Sequence, residues 1–162
     1  MSYAEGTTVT VEKSKAELEN VVRKHGGYNF GSAARDDQGL ALIFFTIGQG
    51  PKMRQVRVVL PLPKVTSFPE AKRYKDKTRE QRWEQACRER WRLLVLAVRA
   101  KLELVAAGAS TIDAEFLAGL TLPDGQTVME LVGGAIAEAY QTGKMPLLTV
   151  GAPEVQAEVI DG

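Results

Sequence analysis

Few residues in this sequence could do chemistry. His25 is the only histidine and Cys87 the only cysteine among 162 residues. A Ser-His-Asp or Cys-His set would have to use His25, and no nucleophile motif accompanies it. One histidine and one cysteine cannot build a structural zinc site from this chain alone. His25 lies between Lys24 and Gly26-Gly27, where a helix would end and an imidazole meets the negative pole of its dipole. Cys87 falls on an apolar helical stripe and reads as a packed thiol. Asp36-Asp37 is the one adjacent acidic pair, and with a nearby lysine it could serve a metal-dependent nuclease. The plainer reading is a turn in which an aspartate holds its own backbone. Gly48-Gln-Gly50 lacks the following helix and lysine of a phosphate-binding loop. The sequence therefore reads as a non-enzymatic chain with no cofactor and no metal.

Charge is more informative. Residues 51–101 hold fifteen basic and five acidic side chains, against five and six in residues 1–50 and one and nine in residues 102–162. The near-neutral total hides a basic middle third, the footprint expected for a polyanion partner. The competing reading is a solvated surface that pairs with the acidic last third. The phosphate-contacting candidates are Lys52, Arg54, Arg57, Arg73, Lys75, Arg79, Arg82, Arg88, Arg92 and Arg99. Tyr74, flanked by Arg73 and Lys75, and Trp83 are the stacking candidates, because every base offers a face to an aromatic ring. Trp91 lies on the apolar stripe and reads as core.

These side chains need elements to position them. Apolar residues make up 44% and charged residues 25% of the chain, values of an ordinary globular domain. Thr7–Val11 is rich in β-branched residues and predicts a short strand. Ser14 with Glu17 forms a capping-box pattern ahead of a helix that stops at Gly26-Gly27. Tyr28–Arg35, Leu40–Ile47 and Met53–Leu60 read as three strands with hairpin-length connections, hence an antiparallel meander. Leu40–Ile47 is apolar on both faces and should be central. Lys64–Lys77 is a basic, Pro-containing surface connector.

The strongest element is Thr78–Ala107, where Trp83, Cys87, Trp91, Leu94, Val98, Leu102 and Val105 recur at spacings of three and four. On its flank Arg88, Arg92 and Arg99 point within roughly 40° of one another and predict a basic ridge. Thr111 can cap a short helix, and Thr127 with Glu130 makes a second capping box. Gly133-Gly134 weakens that last helix or marks a close packing point. The fold class is α+β: a three-stranded antiparallel sheet on one long and several shorter helices, within a single domain over 1–148. A short acidic tail follows at 149–162. No segment is long and apolar enough for a membrane span, and no leader pattern opens the chain.

The runs WEQACRERWRLLVLAVRAKLELVAAG, FLAGLTLPDGQTV and AYQTGKMPLL, with AELENVVRKHGG and VRVVLPLP upstream, resemble a set of small bacteriophage and prophage proteins. That resemblance implies a phage origin and carries over no site. In element order alone, a helix, a three-stranded antiparallel sheet and a long helix are similar to the core of Rad52-type single-strand annealing proteins. Those line a basic groove and assemble into rings or filaments.

The expectation is a single-stranded nucleic-acid-binding protein, for DNA with RNA as an alternative. It would protect or anneal strands in phage replication or recombination, in the host cytoplasm and as a homo-oligomer. A protein-binding phage factor, such as a host-defence inhibitor or replication adaptor, is the second reading.

Overall fold

The computed structural model describes residues 3–145. The elements run α1 (Val11–Lys24), β1 (Gly27–Arg35), β2 (Leu40–Ile47), β3 (Arg54–Pro61), α2 (Arg79–Ala106), α3 (Ile112–Phe116) and α4 (Val128–Thr142). The fold is α+β, with an antiparallel sheet in the order β1-β2-β3. The acidic tail expected from residue 149 lies outside the described residues.

The N-terminus differs from expectation. Residues 7–10 pair with no strand, and Val11 opens α1. Thr10, in an extended conformation, is the cap, and its hydroxyl accepts from the Lys13 amide at 3.2 Å. Ser14 therefore lies one turn inside the helix, fully buried, with its Oγ unpartnered among the described residues. Glu17 is released from the predicted capping box and turns toward α2.

β2 sits centrally, with Phe44 opposite Gly31 on one side and Arg57 on the other. Strand alternation sends Ala41, Ile43, Phe45 and Ile47 into the core. They meet Leu18, Val21 and Val22 of α1 and Trp91, Val95, Val98 and Leu102 of α2. Phe116 closes one end edge-on to Phe45, with ring centroids 5.6 Å apart. The stripe read from the sequence is the face α2 buries, with Val95 added and Trp83 and Val105 only partly covered. At 28 residues, α2 is about 42 Å long.

Thr78 caps α2 in a box with Gln81, and Thr127 caps α4 in a box with Glu130. After α3 the chain makes a 3-10 turn at Leu117–Gly119, and the Thr121 amide then donates to the Gln55 carbonyl at 2.8 Å beside β3. No residue of α4 is buried. Among the described residues, nothing lies within 4 Å of a Cβ at Gly134 and Gly133 meets only Met129 of its own helix, so the glycine pair marks no packing point there.

Candidate nucleic-acid interface

The structure divides the basic middle third into two groups. In the first, arginines are held by carboxylates distant in sequence. Arg54 grips Asp113 of α3 in a bidentate pair, with Nε to Oδ1 at 2.6 Å and Nη2 to Oδ2 at 3.1 Å. Arg57 pairs with Glu130 of α4. Arg92 and Arg99, two helical turns apart on α2, both reach Glu17 of α1. The basic ridge expected from Arg88, Arg92 and Arg99 is thus interrupted by a carboxylate. Only Arg88 of the three makes no ion pair within 4 Å among the described residues; it donates to Gln85 Oε1 at 3.1 Å and helps lower the Glu89 carboxyl through space. These pairs polarise their acids. The Arg92 hydrogen bond, and secondarily Arg99, holds the Glu17 carboxyl below the usual carboxylate range against the opposing effect of burial. Arg54 lowers Asp113 likewise.

The second group lies in the connector and the start of α2. Between residues 64 and 82 stand seven basic side chains against three acidic ones. The connector is pinned at both ends: Trp83 Nε1 donates to the Pro63 carbonyl at 2.8 Å, and Arg79 Nε donates to the Phe68 carbonyl at 2.9 Å. Arg79 also pairs with Glu70 at 3.2 Å. Between these anchors, Asp76 accepts the Arg73 amide at 3.0 Å and closes a tight turn. That turn presents Lys72, Arg73, Tyr74, Lys75 and Lys77 to solvent, Tyr74 without any cover. No ion pair engages these four cations among the described residues. Arg82 donates to the Lys77 carbonyl at 3.1 Å. Lys52 stands apart, exposed in the turn before β3.

Trp83, a predicted stacking residue, is half-buried against the core and commits its indole N–H to the connector. Its role in this structure is to anchor the loop. Lys64, Lys72 and Lys77 are exposed on the same connector as Arg73 and Lys75, and their place in an acid-poor, Pro-containing run is the sequence signal for them.

The other chemistry-bearing residues lie apart from this surface in sequence. His25 caps α1, with Nδ1 2.8 Å from the Val21 carbonyl and Nε2 3.3 Å from Glu103. Cys87 is buried on the α2 stripe. Asp36 and Asp37 lie in a 3-10 turn between β1 and β2. Among the described residues no group of three or more His, Cys, Asp or Glu could hold a metal ion. None of the described helices is long and apolar enough to cross a membrane. Comparison with protein-family models, curated proteins and solved structures returns no match.

Proposed function

We propose that the chain binds single-stranded nucleic acid without chemistry, through the connector and the first turns of α2. The observation that carries this reading is the exposed Lys72-Arg73-Tyr74-Lys75 turn, whose cations have no carboxylate partner among the described residues. Cations held at one end of a domain attract the phosphate backbone, and a bare tyrosine among them can stack on a base. Arg82 and Arg88 extend the basic surface along α2, whereas Arg54, Arg57, Arg92 and Arg99 serve chiefly to tie elements together. Such a site has little sequence preference and strong salt dependence. Strand protection or annealing in phage DNA replication or recombination is the setting that suits it.

The test is binding of a labelled single-stranded oligonucleotide at low and high salt. The parent protein should bind at low salt and weaken steeply as salt rises, and K72E/R73E/K75E should abolish binding. A parent protein that fails to bind at low salt removes the reading.

One observation favours a second reading as a protein-binding factor. α4 carries Met129, Leu131, Ile136 and Tyr140 in the open. A binding partner that survives nuclease treatment and is lost in I136E, together with no oligonucleotide affinity, would favour that reading over the first.

A further inference from the structure

We infer that the outer face of the sheet is a nucleobase-stacking platform centred on Phe44. This inference rests on the nucleic-acid reading and assigns the bases, as distinct from the phosphates, a place to sit.

The alternation that buries Phe45 turns Phe44 away from the core, where it is 47% exposed. An exposed phenylalanine in the middle of a central strand is unusual, because a covering helix or a polar residue is the ordinary solution. Its neighbour in register on β1 is Gly31, and a Cβ there would stand 2.2 Å from Phe44 Cζ. The ring therefore lies against the bare Gly31 backbone while nearly half of the residue stays exposed.

Phe44 lines a depression of about 480 Å³ together with Asn29, Thr46, Gln55, Arg57 and Thr121 among others. Asn29 and Gln55 bring amides that can both donate and accept at the edge of a base. The Arg57 side chain spends Nη2 on Glu130 and makes no other side-chain hydrogen bond among the described residues, which leaves guanidinium donors for a flanking phosphate.

Charge and continuity point to the same occupant. None of the strand residues that share this face is acidic. Leu42 and Val59 carry the apolar surface from Phe44 to the row of Arg35, Leu40 and Pro61, about 14 Å along β2. β3 leaves that row at Pro61, and Lys64 begins the approach to the basic turn. A strand lying on this face would stack a base on Phe44 and run its phosphates toward the connector.

The experiment compares a thymidine oligonucleotide with an abasic one of equal length and charge. Wild type should bind the thymidine strand roughly tenfold more tightly. F44L, which keeps an apolar cover over Gly31 but has no aromatic face, should lose most of that difference while leaving abasic binding unchanged. F44W should retain it. A 5-iodouracil strand should photo-crosslink at Phe44. If wild type binds neither strand, the nucleic-acid reading falls and this inference with it. If wild type binds both strands equally, or F44L keeps the full base-dependent difference, the platform alone is overturned. An F44L that weakens both strands equally also overturns it.

Discussion

Replacing Glu17 with glutamine tests how the basic ridge on α2 is held. One carboxylate serves both Arg92 and Arg99, and it bridges α1 to α2. The Glu17 and Arg92 side chains are 29% and 18% exposed, so the pair is shielded from water more than a surface ion pair is. Arg99, at 43%, is closer to a surface cation and adds little. Charge-assisted hydrogen bonds of this sort contribute about 1.5–3 kcal/mol, so E17Q should cost about 2 kcal/mol at neutral pH. For a domain of this size that is about 4–8 °C in melting temperature.

The pH dependence follows from the direction of the Glu17 shift. Its folded-state pKa is depressed, chiefly by Arg92, so its stabilisation is full above the ordinary carboxylate pKa. That stabilisation is lost as pH falls through the folded-state value. Urea unfolding of wild type and E17Q at steps from pH 7 downward should therefore give stability curves that converge on the acidic side. A double-mutant cycle with R92M should place most of the coupling on that pair. Equal stability of E17Q and wild type at pH 7, or a gap that does not narrow in acid, would refute this account of the α1–α2 contact.

Trp91→Ala should cost about 3–5 kcal/mol in chemical denaturation, because its side chain is fully buried in the core and its ring lies 5.3 Å from Lys15 Nζ. Thr127→Ala removes the capping box of a helix with no fully buried residue, so far-UV circular dichroism should report lost helicity while core unfolding stays nearly unchanged. Gly31→Val should be poorly tolerated because its side chain would enter the space of the Phe44 ring, and a lowered melting temperature is the readout. Tyr74→Ala should weaken oligonucleotide binding without altering its salt dependence, since the ring carries no charge.

Local signals were legible where one element decides them. The α2 stripe was readable because spacing alone fixes which face of a helix is apolar, and the Thr127–Glu130 box because both partners lie within one turn. The same motif misled at Ser14 and Glu17. Thr10 offers an equivalent hydroxyl one turn earlier, and packing of α1 on α2 buries Ser14 and draws Glu17 to Arg92. The segregation of charge was equally plain, but its neutralisation was not. Asp113, Glu130 and Glu17 lie 59, 73 and 75 residues from Arg54, Arg57 and Arg92, beyond any local pattern. The exposure of Phe44 is illegible in the sequence for a related reason. Leu40–Ile47 is apolar on both faces, and no sequence pattern says that, among the described residues, its second face lacks a covering helix.

The most direct test of the central claim is the slope of single-strand affinity against salt for wild type and K72A/R73A/K75A. Each phosphate contact on a single strand contributes about 0.7 to that slope, so the variant should lose about 2. An R92M control should leave the slope unaltered, since Glu17 already occupies that arginine. Identical slopes for wild type and the triple variant would contradict the assignment of the connector as the phosphate-binding surface.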